Sequence, residues 1–149
     1  MIHNKIYKRE TYLNKIRSFY DDSEMIKVIT GIRRCGKSFL LKSIIEELLS
    51  RGVREENIIY IPLDSKKYKN IKTPTQLEEL IDSQIKNDEF KYLFIDEIQN
   101  IKGFESIIEA YRLEGNFSIF ITGSNSYLLS RRTNNQTYRK ENWIWNPYA

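Results

Sequence analysis

Short runs of apolar residues alternate along the chain with longer segments in which apolar residues recur every three or four positions. The short runs are rich in β-branched and aromatic residues, as buried strands are, and the longer segments have the period of amphipathic helices. Predicted strands cover residues 25–30, 57–63, 91–96 and 117–122, and predicted helices cover residues 5–20, 39–49, 74–86 and 104–115. This alternation favours an α/β fold with a mainly parallel sheet.

One predicted helix has a clear start signal in the sequence Thr73-Pro74-Thr75-Gln76. Threonine suits the N-cap, and proline suits the first helical position because an N–H group there has no partner within the helix. A glutamine three residues after the cap is placed to complete a capping box.

The composition is typical of a globular domain, with 40% hydrophobic and 30% charged residues. No apolar run approaches the roughly 20 residues of a membrane-spanning helix, and the N-terminus lacks the apolar centre of a signal peptide. Cys35 is the only cysteine and His3 the only histidine, which excludes an internal disulfide and a histidine-based catalytic triad. We therefore expect a cytoplasmic protein with no membrane partner.

The net charge of +4 is concentrated near the end of the sequence. Residues 131–149 contain four basic residues and one acidic residue, so the first 130 residues carry a net charge of only +1. The nearly neutral charge of residues 1–130 does not indicate a particular class of binding partner.

The sequence "GIRRCGKS", residues 31–38, matches the P-loop pattern G-x-x-x-x-G-K-[ST]. Glycines let phosphate oxygens approach consecutive backbone N–H groups, and the helix that follows directs its free N–H groups at the same anion. Lys37 is placed to neutralise the β- and γ-phosphates, and the Ser38 hydroxyl to bind Mg²⁺. The predicted nucleotide-binding residues are Gly31, Ile32, Arg33, Arg34, Cys35, Gly36, Lys37, Ser38 and Phe39.

Individual residues of this loop have simpler interpretations. Arg33 and Arg34 can extend the phosphate contacts, but solvated loop charges explain them equally well. Cys35 is better explained as a small loop residue than as a nucleophile, because no histidine is placed to activate it.

The sequence "YLFIDEIQN", residues 92–100, is an apolar strand that ends in two adjacent carboxylates. Successive side chains at a strand end point in different directions, so the two can serve different tasks. Asp96 fits the Walker B aspartate that holds Mg²⁺, and Glu97 is placed to activate the water that attacks the γ-phosphate. Alone, such a pair often simply ends a strand in solvent; the P-loop makes the functional interpretation strong.

A further apolar strand runs into small polar residues in "SIFITGSNS", residues 118–126. A polar side chain there suits a sensor that orients the attacking water. Asn125 is the first candidate, followed by Ser124 and Thr122. An ordinary Gly-Ser-Asn turn is the alternative.

Together, "VITGIRRCGKS", "YLFIDEIQNIKGFE" and "IFITGSNSYLLS" resemble a widespread prokaryotic family of AAA-type P-loop ATPases. The resemblance covers about residues 5–130. It implies a three-layer α/β sandwich whose fourth strand lies between the first and third, and a preference for ATP over GTP. In that family the ATPase domain is followed by a second domain, and the biological role is poorly defined.

The sequence departs from the family pattern after residue 130. A one-base shift near codon 130 can restore the expected "GEL" pattern, so we expect a frameshifted, truncated chain without the fifth strand that should flank the P-loop strand. An aromatic and basic nucleic-acid-binding tail is the alternative. The predicted division is an N-terminal helical segment (1–24), a P-loop ATPase core (25–130) and an aberrant or disordered tail (131–149).

These features predict Mg²⁺-dependent ATP binding, with hydrolysis in the intact protein and weak turnover in a truncated one. Glu97, Lys37 and Asn125 are the predicted catalytic residues, and Ser38 and Asp96 the predicted metal ligands. The alternatives are a nucleotide-binding remnant without turnover and a P-loop kinase acting on a small molecule. Homo-oligomer formation and any nucleic-acid or protein partner are left open.

Overall fold

A computed structural model describes residues 10–31, 36–124 and 143–147 of the chain. The described strands are β1 (Ile26–Gly31), β2 (Ile58–Pro62), β3 (Lys91–Asp96), β4 (Phe117–Ser124) and β5 (Trp143–Pro147). The described α-helices are α1 (residues 10–16), α2 (Lys37–Ser50), α3 (Pro74–Ser83) and α4 (Phe104–Glu114). Short 3₁₀ turns lie at Arg17–Phe19, Glu55–Asn57, Lys66–Tyr68 and Ile98–Asn100. Each of the four predicted strands is therefore confirmed to within two residues at either end.

The strands form one parallel sheet in the order β2-β3-β4-β1-β5. The position of β4 between β1 and β3 confirms the order that the family resemblance implied. Because all the strands are parallel, their carboxyl ends meet at one edge of the sheet. In open α/β sheets this is the edge where ligands bind.

Helices cover both faces of the sheet and give three layers. On one face, apolar residues of α3 and α4 pack with Leu93 and Ile95 of β3. On the other, residues of α1 and α2 pack with Tyr92 and Phe94 of the same strand. This alternation along one strand explains why β3 reads as a continuous apolar run: both of its faces are buried.

The start of α3 confirms the predicted capping box. The Thr73 hydroxyl accepts a hydrogen bond from the Gln76 backbone N–H at 3.2 Å, and the Gln76 side chain accepts one from the Thr73 N–H at 3.1 Å. Pro74 occupies the first helical position. The start of this helix was therefore predictable without tertiary information.

The prediction that the P-loop strand lacks an outer neighbour is wrong. Trp143–Pro147 forms β5 and pairs in parallel with β1 over five residues, from Ile26 opposite Trp143 to Thr30 opposite Pro147. This stretch is part of the segment expected to be aberrant or disordered. The segment lacks alternating polarity, but Trp, Ile and Trp are strong β-formers, and a strand beside β1 needs only an extended backbone to complete the ladder.

The predicted N-terminal helix is only partly covered by the description, which begins at residue 10. Residues 10–16 are helical, and Tyr12, Leu13 and Ile16 are buried in the same core cluster as α2. Among the described residues, no helix combines the length and apolarity needed to cross a membrane.

Candidate nucleotide-binding site

The junction between β1 and α2 places a buried lysine at the carboxyl edge of the sheet. Gly36, the N-cap of α2, has φ of 97°, a left-handed conformation that glycine adopts without strain. Lys37 follows and is only 3% exposed. Its Nζ donates to the carbonyl oxygens of Gly31 at 3.0 Å and Gly123 at 2.9 Å. The ends of β1 and β4 thus hold this ammonium group in one position.

Asp96, the last residue of β3, is held by two hydroxyl groups. Ser38 Oγ donates to Asp96 Oδ2, and Thr122 Oγ1 donates to Asp96 Oδ1. The first of these hydrogen bonds joins α2 to β3, and the second joins β4 to β3. Three elements therefore converge on one carboxylate that is 1% exposed.

Burial raises the pKa of the Asp96 carboxyl above its ordinary value, and the negative charges of Glu97 and Asp64 act in the same direction. The hydrogen bonds from Ser38 and Thr122 oppose this shift. A carboxylate whose charge is disfavoured by burial gains from a bound cation, which would replace the lost solvation.

The donor set suits Mg²⁺. The Ser38 hydroxyl and the Asp96 carboxylate are in direct contact, and both are the oxygen ligands that this hard cation prefers. Magnesium sites commonly use one or two carboxylates and complete their shell with water and phosphate oxygens. Ser38 and Asp96 are therefore the residues that could hold the ion.

Glu97 has an unusual backbone conformation. With φ of 58° and ψ of 53°, it is the single non-glycine residue with positive φ among those described. Its N–H donates to Thr122 Oγ1 at 3.0 Å, so the hydroxyl that binds Asp96 also fixes the next residue. Left-handed backbone at a charged residue stores strain and is typical of functional sites.

The Glu97 carboxylate has two polar neighbours. Gln99 Nε2 donates to Glu97 Oε1 at 2.6 Å, and Lys37 Nζ lies 3.8 Å from Glu97 Oε2. Glu97 is 8% exposed. The site thus combines a fixed ammonium group, the hydrogen-bonded pair Ser38 and Asp96, and a second carboxylate.

Of the predicted site residues, the structure brings together Gly31, Gly36, Lys37, Ser38, Asp96 and Glu97. Phe39 lies on α2 next to Ser38 and is 59% exposed. The predicted phosphate-loop residues Ile32, Arg33, Arg34 and Cys35, and the sensor candidate Asn125, lie outside the described residues. Ser124 is described and ends β4, half-buried.

Two roles were missed or underrated by sequence reasoning. Thr122, the third sensor candidate, contacts both Asp96 and Glu97 and organises the site. Gln99 was not predicted, although its spacing of two residues from Glu97 was visible. Gln99 can contact Glu97 because a tight 3₁₀ turn follows β3. That turn has no strong signal in the sequence.

Comparison with known proteins identifies relatives of this chain. The family model described as an AAA domain matches residues 23–145. An uncharacterized protein of Haemophilus influenzae is 41% identical over 123 residues, which are 82% of this chain and 30% of that protein. The chain therefore spans less than a third of this relative's length.

Solved structures with the same fold have little sequence in common with the chain. The DNA polymerase III gamma subunit-related protein of Thermotoga maritima aligns over 93% of this chain and 46% of its own, with a TM-score of 0.61 at 14% identity. The Aeropyrum pernix ORC2 protein, in ADPNP–ADP complexes, aligns over 97% and 47%, with a TM-score of 0.58 at 14% identity.

These results agree with the site geometry and support a nucleotide-binding, ATPase-like function. The solved structures establish the fold alone, because their identity is low. The family model covers most of the chain, from the residues before β1 into β5. The protein therefore belongs to the AAA domain family.

Proposed function

We propose that the chain binds ATP with Mg²⁺ and hydrolyses the bond between the β- and γ-phosphates. The observation that carries this proposal is the convergence of Lys37, Ser38, Asp96 and Glu97 at the carboxyl edge of the parallel sheet. Each of these residue types has a separate role in water attack on a nucleotide phosphate, and the fold holds all four together.

Phosphate binding falls to Lys37 and to the backbone at the start of α2. Carbonyl groups of Gly31 and Gly123 hold the ammonium group, so little side-chain entropy is lost when phosphate binds. The first N–H groups of α2 lack helical partners and favour an anion. The predicted loop residues 32–35 and Phe39 complete the binding set in this proposal.

Ser38 and Asp96 hold Mg²⁺ in the proposed complex. When bound, the ion draws negative charge away from the phosphate oxygens and orients them for in-line attack. The hydrogen bond from Thr122 keeps the Asp96 carboxylate facing Ser38, so the ligand pair is preformed.

Glu97 is the proposed general base. Water attacks the γ-phosphorus as the bond to the bridging oxygen breaks, and the proton of that water passes to a Glu97 carboxylate oxygen. Lys37 Nζ lies 3.8 Å from Glu97 Oε2 and is placed to reach both the phosphate and the base, so it links binding to hydrolysis. Asn125 stays the proposed sensor that orients the water.

The activities of the complete relatives are not assigned to this chain, because it spans only 30% of the Haemophilus influenzae protein. Homo-oligomer formation, a cytoplasmic location, the frameshift near codon 130 and the identity of any macromolecular partner stay predictions. What the hydrolysis cycle drives is set by parts of the protein and by partners beyond this site.

The test is a Glu97→Gln variant of the full chain, assayed for phosphate release and for binding of a fluorescent ATP analogue. We expect hydrolysis to fall by about 100-fold or more, since a general base contributes roughly 10²–10⁴ in rate, with ATP affinity within about threefold of wild type. Glu79→Gln, an exposed carboxylate on α3, is the matched control and should change neither quantity.

Three results would contradict the proposal or part of it. If the wild-type chain binds the analogue but releases no phosphate, the chain is a nucleotide-binding module without turnover. If phosphate appears on an added metabolite instead of in solution, the chain is a kinase. Equal loss of binding and hydrolysis in Glu97→Gln would remove the assigned role of Glu97.

A further inference from the structure

The segment between β2 and α3 carries a local concentration of positive charge. Residues 65–72, "SKKYKNIK", contain four lysines and no acidic residue, whereas the rest of the chain has 20 basic and 20 acidic residues. Lys66, Lys67, Lys69 and Lys72 are all exposed and are called the lysine surface below.

The backbone under the lysine surface is held in place. Ser65 caps the 3₁₀ turn Lys66–Tyr68 by accepting a hydrogen bond from the Lys67 N–H, and the Tyr68 N–H donates to the Ser65 carbonyl at 3.0 Å. Tyr68 is buried in the core, and Ile71 packs against it. Two apolar anchors therefore fix the backbone of a short segment whose lysines are exposed, so a partner meets these lysines on one ordered stretch of chain.

These four charges have no partner of opposite sign in the described structure. None of them forms an ion pair with any described residue. Lys67 Nζ lies 5.4 Å from the centroid of the neighbouring Tyr68 ring. Asp64, exposed at the end of β2, is the nearest acid in sequence. A fixed group of like charges costs stability through repulsion, and a polyanion removes that cost.

The absence of apolar exposure in this segment indicates the class of polyanion. The large apolar side chains exposed among the described residues are Phe39, Leu49 and Leu113, and none belongs to the lysine surface. Membrane-surface binding and protein interfaces both use exposed apolar or aromatic side chains beside basic ones. Single-stranded nucleic acid is held by aromatic stacking, which is equally lacking here. A double-stranded phosphate backbone needs only well-placed positive charges.

The lysine surface lies at the same edge of the sheet as the candidate nucleotide site. It follows β2, which neighbours β3, and the Leu63 N–H donates to the Asp96 carbonyl oxygen at 3.1 Å. A long polyanion lying across this edge would thus contact the lysine surface beside the candidate nucleotide site.

We propose that the lysine surface is a docking site for the phosphate backbone of double-stranded DNA. Lysines act here as point charges on phosphate oxygens, so binding is independent of base sequence and strongly dependent on salt. This role is independent of ATP hydrolysis, and either activity can fail while the other holds.

The test compares two triple variants of the full chain that have the same net charge. Lys66→Gln, Lys67→Gln and Lys69→Gln remove most of the lysine surface. Lys15→Gln, Lys42→Gln and Lys86→Gln remove three exposed lysines elsewhere. Binding to a fluorescein-labelled 20-base-pair DNA duplex is measured by fluorescence anisotropy from 50 to 200 mM NaCl. Circular dichroism confirms that both variants fold.

We expect the lysine-surface variant to bind at least about tenfold more weakly at 50 mM NaCl, while the control variant stays within about threefold of wild type. The slope of log K against log salt should flatten by about 2.7 in the first variant, at roughly 0.9 for each phosphate that is no longer neutralised. Equal weakening in both variants would show general attraction to a basic protein and overturn the proposal. Tighter binding of the wild type to anionic vesicles or to a single strand than to the duplex would overturn it as well.

Discussion

Two buried lysines lie at opposite ends of the P-loop strand and serve different purposes. Lys37 sits at the carboxyl edge of the sheet, 3.8 Å from the Glu97 carboxylate, and is held by the carbonyls of Gly31 and Gly123. Lys27 lies near the amino end of β1, fully buried, where its Nζ donates to the Asp22 carbonyl at 2.6 Å and to Ser118 Oγ at 2.9 Å.

The difference between them lies in what each charge faces. Lys27 also lies 4.7 Å from the centroid of the Phe120 ring, and burial lowers its pKa to about 7, with the charges of Asp22 and Asp21 opposing the shift. Its partners all lie within the protein. Lys37 lies instead beside the Glu97 carboxylate at the carboxyl edge of the sheet, where the proposed function has it bind phosphate.

The largest effect is expected for Lys37→Ala. Removing a buried ammonium group that is proposed to bind phosphate should cost about 2–5 kcal/mol of binding free energy, so ATP affinity should fall by about 30-fold or more. A fluorescent ATP analogue measures this, and circular dichroism verifies the fold. Lys27→Met should leave the affinity within about threefold of wild type. If both variants bind ATP equally well, the functional distinction between the two lysines is wrong.

A smaller effect, on stability alone, is expected for Lys27→Met. In wild type the folded state releases the Lys27 proton near pH 7, whereas the unfolded chain keeps it until near the ordinary lysine pKa. The unfolded state binds more protons between these values, so the free energy of unfolding should rise with pH, by up to about 1.4 kcal/mol per pH unit. The Met variant should lack that contribution between pH 7 and 9.

Urea unfolding at several pH values measures this slope. The measured pH range ends at pH 9 because burial also raises the pKa of Tyr20 and Tyr111. Above pH 10 these two tyrosines make the free energy of unfolding fall as pH rises, which is opposite to the effect of Lys27. Lys15→Met, at an exposed position on α1, is the control and should keep the wild-type slope. An unchanged slope in Lys27→Met would show that Lys27 stays charged in the fold.

The smallest effect concerns the second neighbour of Glu97. Gln99→Ala removes the 2.6 Å hydrogen bond to Glu97 Oε1 and frees the carboxylate that Lys37 also approaches. Losing a hydrogen bond to a charged group costs about 1.5–3 kcal/mol, so kcat for ATP hydrolysis should fall by about tenfold or more while KM holds. Asn100→Ala, exposed in the same turn, is the control. A change in KM with constant kcat would assign Gln99 to ATP binding instead of to Glu97.

The regular elements were predictable because their signals are local. The strand Lys91–Asp96 was predicted at its observed bounds, and the capping box at Thr73 fixed the start of α3. The family resemblance implied a fifth strand beside β1, but Trp143–Pro147 was not predicted to form it, because the tail lacks alternating polarity and was interpreted as a frameshift product. Tertiary pairing decided this element, as it often does for strands.

The candidate site was predictable in its members and less so in its geometry. Lys37, Ser38, Asp96 and Glu97 followed from the motif spacing, and the structure places them together. Neither the left-handed backbone of Glu97 nor the two hydrogen bonds of Thr122 could be predicted from spacing, because both depend on how β3 and β4 end side by side.

The pairing of β1 with β5 also has a kinetic consequence. It joins residues more than one hundred positions apart, such as Ile26 and Trp143. Closing so long a loop costs entropy before any contact forms, and topologies of this kind fold slowly. During synthesis, β1 to β4 emerge first, and β1 keeps an open edge until β5 arrives. The yield of native protein in the cell therefore depends on whether β5 docks faster than the open edge of β1 leads to aggregation.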